Sequence, residues 1–145
     1  MDPGRIIGVN LSTRKETKKT NAGAGYLIAG YGLQGDAHAG TGRQVSLFPA
    51  ERAEELAAGL GFVVQPGDFA ENITVRGLNL KKVEPGARLL VGEAIVEVTR
   101  IGKKDGELHA FSFHGLAPLK TEGIFCRVVK SGRVKEGDQV SLVEQ

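Results

Sequence analysis

Glycine occupies 21 of the 145 positions, about twice its share of ~7% in ordinary chains. The glycines are spread between short apolar runs and do not form a low-complexity block. A strand needs only about four to eight residues and a globular helix about ten or more, so chopped apolar runs favour strands joined by tight turns. The runs at 5–11 (RIIGVNL), 26–29, 43–48 (RQVSLF), 72–76 (NITVR), 88–91, 94–101 (AIVEVTRI), 124–130 (IFCRVVK) and 139–143 (QVSLV) read as such strands. One segment differs. Pro49 fits a first helical position, Glu51, Glu54 and Glu55 load the following turns, and Ala53, Leu56, Ala57 and Leu60 form one apolar stripe, with Gly59 and Gly61 as stop signals. The expected fold is therefore mainly β: a closed or half-closed β-barrel, which removes sheet edges, with one α-helix near residues 49–60 and short additional helical turns.

Two turns echo each other. VEPGARL at 83–89 and VKEGDQV at 134–140 each place a valine, charged or Pro residues, a glycine and then a strand. The match is too short for a repeat architecture but predicts two similar hairpin corners in one sheet system. At this length residues 1–145 make a single domain, large enough to bury a core without disulfide or metal staples.

Composition narrows the function classes. A net charge of +2 and few aromatic residues give neither the basic footprint nor the stacking platform of a nucleic-acid binder. Apolar stretches fall far short of the ~20 residues a bilayer needs, and the first residues lack the layout of a signal sequence. The single cysteine, Cys126, forms no intrachain disulfide. The expectation is a cytoplasmic protein with no membrane and no nucleic-acid partner.

Three segments carry polar residues that strands and turns do not require. The first is the glycine-rich stretch at 30–42, which holds Asp36 and His38 and runs on to Arg43, Gln44 and Ser46. Glycines let backbone amides approach an anion, and an arginine fork suits phosphate or carboxylate. A surface loop in which Asp36 caps a turn and His38 is solvated is the competing reading. The second is PGDFAEN at 66–72, where Asp68 and Asn72 are ordinary turn residues, or Glu71 and Asn72 face a ligand. The third follows the strand at 94–101 and contains Asp105, His109 and His114, whose spacing matches no standard zinc pattern, so no metal site is assigned. Cys126 lies inside an apolar strand, where a cysteine is more often packing than nucleophile. The basic stretch with Lys15 and Lys18 offers point charges to phosphate oxygens at the rim of a pocket.

In their order and spacing, GLQGDAHAG, RQVSL, PGDFAENIT, PGARLLVG, VTRIGK and EGIF-x-RVVKSGRVKEGD resemble the MOSC domain, the module named for the C-terminal part of molybdenum cofactor sulfurases, in its small stand-alone bacterial form. The resemblance implies a MOSC-like β-barrel over 1–145. It also implies binding of the molybdenum cofactor (molybdopterin), or a related small anionic ligand, without pyridoxal phosphate of its own. Asp36, His38, Arg43, Gln44, Ser46, Asp68, Glu71, Asn72, Lys15 and Lys18 would form the cofactor pocket. A molybdoenzyme or cofactor-biosynthesis protein would be the partner. Small members of the family typically carry a Cys after the VTxIGK strand, but here Asp105 stands near that place. An aspartate cannot form a persulfide. The reading that follows is a cofactor-binding or carrier module without covalent sulfur transfer, and its alternative is a sulfur carrier or molybdenum-dependent enzyme using Cys126.

Overall fold

The computed structural model describes residues 3–102 and 111–143. Its strands are β1 (Gly4–Leu11), β2 (Thr20–Asn21), β3 (Ala24–Ile28), β4 (Gly32–Leu33), β5 (Val45–Pro49), β6 (Ile73–Arg76), β7 (Arg88–Val91), β8 (Ala94–Ile101), β9 (Ile124–Lys130), β10 (Gly132–Lys135) and β11 (Gln139–Leu142). The helices are α1 (Ala50–Leu60) and the short α2 (Leu119–Glu122), with a 3-10 turn at Leu80–Lys82.

Seven strands close a barrel in the order β1-β6-β5-β9-β8-β7-β11, and β11 returns to β1 through Gly4↔Val140 and Arg5↔Gln139. Every neighbouring pair is antiparallel except β5 and β6. Parallel neighbours need a crossover connection, and α1 lies within the one that joins β5 to β6. The helix thus packs outside the barrel because of how this one pair is wired. A smaller sheet, β10-β3-β4, and the two-residue β2 beside β1 complete the strands.

The alternation in the sequence becomes the barrel core. Val45 and Leu47 of β5, Ile73 and Val75 of β6, Leu89 and Val91 of β7, and Ala94, Val96 and Val98 of β8 are buried together. Ile124, Cys126 and Val128 of β9 and Val140 of β11 join them. In β1 the inward pair is Ile6 and Val9, because the register against β6 shifts between Ile6 and Gly8. A second apolar cluster lies under α1, where Phe48 and Phe69 meet edge to face at 6.1 Å and Phe113 closes on Phe69 at 5.9 Å.

Pro49 is the N-cap of α1 with extended backbone, one position earlier than the sequence suggests, and Gly61 at φ 76° returns its N–H to Ala57 and Ala58. Ala53 and Ala57 of the stripe are buried, but Leu60 is 59% exposed because the last turn has left the packed cluster. The two echoed corners are alike in space. Ala87 N–H donates to Glu84 O at 2.9 Å and Asp138 N–H to Lys135 O at 3.1 Å, and Gly86 and Gly137 both have left-handed backbone. The strands that follow, β7 and β11, pair with each other.

Candidate functional site

The glycine-rich stretch is not a free loop. Gly32 and Leu33 pair with β3, and the chain then turns so that the Asp36 carboxylate points inward. There it meets Lys19, which is 3% exposed. Lys19 Nζ donates to Asp36 Oδ1 at 2.8 Å and to Ser12 Oγ at 3.2 Å. Asp36 Oδ1 also accepts Ser12 N–H at 3.1 Å, and Oδ2 accepts His38 N–H at 3.0 Å. One carboxylate therefore ties its own turn to both ends of the 12–19 loop. Burial alone would raise the Asp36 pKa, but the Lys19 hydrogen bond and charge, with the two backbone N–H groups, hold it below the usual carboxylate range.

The His38 ring is held beside this pair, with Nδ1 3.8 Å from Asp36 Oδ2, which is contact and not a hydrogen bond. Burial and the positive field of Lys19 push its pKa down to about 4, with Lys15 and Arg43 acting in the same direction and Asp36 against. His38 is a neutral imidazole at pH 7. Thr41 Oγ1 donates to His38 O at 2.6 Å and accepts Arg43 N–H at 3.0 Å, which sets the path from the turn into β5. Lys15 and Lys18 are exposed on the 12–19 loop. Lys15 and Arg43 bear on a neutral histidine that lies beside a buried ion pair. The arrangement suits an anion with several oxygens.

The remaining expected residues do different work. Gln44 Oε1 accepts Val128 N–H at 2.9 Å and so latches the entry of β5 to β9. Ser46 and Asn72 are locked together: Ser46 N–H donates to Asn72 Oδ1 at 3.0 Å and Asn72 N–H to Ser46 O at 3.1 Å. Asn72 Nδ2 donates onward to Asn10 O at 3.2 Å. Asp68 Oδ2 accepts Gln65 N–H at 2.8 Å, the ordinary turn role. Glu71 is 1% exposed, and burial pushes its pKa up against the Thr74 hydroxyl, which donates to Oε2 at 2.7 Å, and nearby backbone amides. Glu71 Oε1 and Asn10 Oδ1 have no hydrogen-bond partner among the described residues. These side chains are taken up by hydrogen bonds that join strands and turns of the fold.

Sequence reasoning did not single out Lys19 or Asn10. Lys19 sits among Arg14, Lys15 and Lys18 in an apparently solvated basic run, and nothing local marks it as the buried one. The signal was its charge opposite to Asp36 across a glycine-rich segment, which becomes visible only once the two loops meet.

Cys126 lies in the barrel core. It faces Val45 of β5 and Val98 of β8, is 2% exposed, and burial pushes its thiol well above the ordinary range. Reactive thiols sit in exposed, electropositive settings, and the packed site of Cys126 is neither. Its neighbour Arg127 points the other way, to Glu97 at 3.2 Å. His114 stacks on Phe62 with ring centroids 4.1 Å apart, within the aromatic cluster. Asp105 and His109 lie outside the described residues. No group of His, Cys, Asp and Glu that could hold a metal ion is present among the described residues.

The MOSC domain family profile matches residues 34–101, from the turn that carries Asp36 to the end of β8. That match spans a little under half of the chain. Solved structures extend the likeness to the rest of the fold. YuaD from Bacillus subtilis superposes with a TM-score of 0.71 at 21% identity, over 94% of this chain and 93% of that one. YiiM from Geobacillus stearothermophilus gives 0.74 at 22% identity, over 98% and 76%. YiiM from Escherichia coli gives 0.59 at 23%, over 99% and 69%. At these identities the likeness is one of fold. No match was found among curated protein sequences. The profile begins after Lys19, so the half of the buried pair that the 12–19 loop supplies lies outside the matched part of the MOSC domain. No helix among the described residues is long and apolar enough to cross a membrane.

Proposed function

We propose that this MOSC domain binds the molybdenum cofactor, or a precursor of it, as a carrier that performs no covalent sulfur transfer. The observation that carries the reading is the buried Lys19–Asp36 pair. It fixes the 12–19 loop against the glycine-rich turn and so gathers Lys15, His38 and Arg43 at one rim. The residues fit the group's anionic end. Arg43 offers a planar fork, Lys15 and Lys18 offer point charges, and neutral His38 can donate or accept to a phosphate oxygen. When bound, the cofactor would supply redox-active molybdenum and its sulfur ligands. Gln44, Ser46, Asp68, Glu71, Asn72 and Asn10, hydrogen-bonded between strands and turns, would hold the neighbouring backbone rigid. The buried thiol of Cys126 favours carriage over persulfide chemistry. A molybdoenzyme or a cofactor-biosynthesis protein would then receive or deliver the load.

The test is an anaerobic titration with molybdenum cofactor released from a donor enzyme, run on the wild type, Arg43→Ala and Cys126→Ser. Loss of one charged hydrogen-bond donor should weaken binding by about ten- to a hundredfold in Arg43→Ala, while Cys126→Ser binds like the wild type. Loss of binding in a folded Cys126→Ser would restore the sulfur reading. Absence of binding by all three would leave a MOSC fold with some other ligand.

A further inference from the structure

A count of hydrogens beside the 65–71 turn does not close. Asn10 of β1, Thr74 of β6 and Glu71 are buried, at 0%, 3% and 1% exposure. Asn10 Nδ2 donates to Glu71 O at 3.1 Å and to Thr74 Oγ1 at 3.0 Å, which commits both of its protons. The Thr74 hydroxyl has one proton, and it goes to Glu71 Oε2 at 2.7 Å. Two buried acceptors are then left without a donor among the described residues, Asn10 Oδ1 and Glu71 Oε1. The backbone amides of Gly67, Phe69 and Glu71 face the carboxylate, but Oε1 takes a hydrogen bond from none of them.

Charge does not make up the deficit. The elements packed on Glu71 are β1, β6 and its own turn. Arg76 of β6 is taken up by Glu54 at 2.6 and 3.0 Å, Arg5 of β1 is exposed, and Asp68 of the turn is itself an acid, bonded to Gln65 N–H. Lys19 meets the turn through its backbone, where its N–H donates to Gly67 O at 2.8 Å, and its ammonium goes to Asp36. A buried carboxylate without a cation costs far more than a neutral acid. The chain still turns this side chain inward, directly after Ala70, whose backbone is left-handed at φ 71°, a conformation uncommon outside glycine.

We propose that Glu71 is a neutral carboxylic acid in the folded protein, with its proton on Oε1 and directed to Asn10 Oδ1. One hydrogen turns Oε1 from an acceptor without a donor into a donor, and gives Asn10 Oδ1 the donor it lacks. The proton comes from solvent on folding, and the acid ties the 65–71 turn to β1 and β6. Because the same turn receives Lys19 N–H, this proton also helps to hold the 12–19 loop, and alkali that removes it loosens both.

The sign with pH follows from linkage. In the unfolded chain Glu71 ionises near the ordinary value of 4.5. The folded acid keeps its proton to higher pH, so its contribution is complete below 4.5 and is lost as pH rises through the folded value. Over that window the unfolding equilibrium constant grows by about tenfold per pH unit relative to a chain with nothing to titrate there.

Glu71→Gln is that chain, since its amide keeps one acceptor and offers a donor in place of Oε1–H. Infrared spectra of the wild type at neutral pH, with and without carbon-13 glutamate, read the acid directly. Ordinary carboxyl groups are ionised there, so the expected result is an isotope-shifted carboxylic-acid band that is absent from Glu71→Gln. In urea titrations from about pH 5 to about pH 9 the wild type should lose ground to the variant by about tenfold in unfolding constant per pH unit, until the folded pKa is passed. Absence of the band from the wild type, or a wild-type to variant ratio that does not move with pH, would overturn the inference. So would a Glu71→Gln chain that fails to fold, because the amide reproduces the neutral acid. A gain in stability from sodium or potassium that Glu71→Gln lacks would overturn it in favour of an ionised Glu71 holding a cation.

Discussion

Taking an ammonium and a carboxylate out of water costs several kcal/mol for each ion, and a buried pair is tolerated only when its hydrogen bonds are nearly complete. Lys19 and Asp36 meet that condition: each side chain is at most 2% exposed, and the pair is bonded at 2.8 Å with Ser12 and His38 supplying the remaining donors and acceptor. Removing one partner should be far worse than removing both. Lys19→Met is expected to lower the unfolding free energy by about 3–5 kcal/mol in urea titrations, with the double variant Lys19→Met/Asp36→Leu recovering most of that loss. A Lys19→Met protein within about 1 kcal/mol of the wild type would show that the pair is not what holds the two loops together. The sign with pH is fixed by the depressed pKa of Asp36. The pair's contribution is present above the ordinary carboxylate value of 3.8 and is lost as pH falls through the lower folded value.

At the scale of elements, the barrel strands were legible because a strand's period of two is written in consecutive residues. AIVEVTRI alternates in the sequence and again in the burial of β8. β2, β4 and β10 were not legible. They have two to four residues, and their pairing with β1 and β3 is set by partners that lie elsewhere in the chain. The site divides in the same way. Asp36, His38 and Arg43 stand out by type and by their glycine context, whereas Lys19 and Asn10 depend on contacts across 17 and 64 positions. The 65–71 turn makes the point physically. Gly67 sits at φ +91°, a backbone conformation that L side chains rarely adopt, and a Cβ there would overlap the Lys19 carbonyl oxygen, which accepts no such neighbour without moving. Lys19 N–H meanwhile donates to Gly67 O at 2.8 Å, so the turn and the basic loop are keyed together. Gly67→Ala is expected to cost about 2–4 kcal/mol of stability in urea titrations, because the Lys19 backbone must shift. An alanine variant as stable as the wild type would mean that the turn accommodates the methyl group without disturbing the loop.

The barrel as a whole decides what chemistry is open to this chain. β11 closes on β1, so the inner residues have no free sheet edge through which water or a thiol reagent enters. Cys126 is hydrogen-bonded through its strand to β5 on one side and β8 on the other, and its sulfur packs with the valines of both. Exposing it requires separating staves of a single cooperative core, and such residues open with free energies close to that of global unfolding. Under native conditions a disulfide reagent should therefore modify Cys126 only through global unfolding, in proportion to the unfolded population, and the modification rate should climb with urea along the same slope as the unfolding equilibrium. The basic rim behaves oppositely, because Lys15 and Lys18 are exposed and open to amine reagents at once. Fast, urea-independent modification of Cys126 in a protein that remains folded would show a local opening between β5 and β9. It would favour the thiol as a sulfur carrier, whereas modification tied to global unfolding leaves the chemistry of this chain to its exposed basic residues and to what they bind.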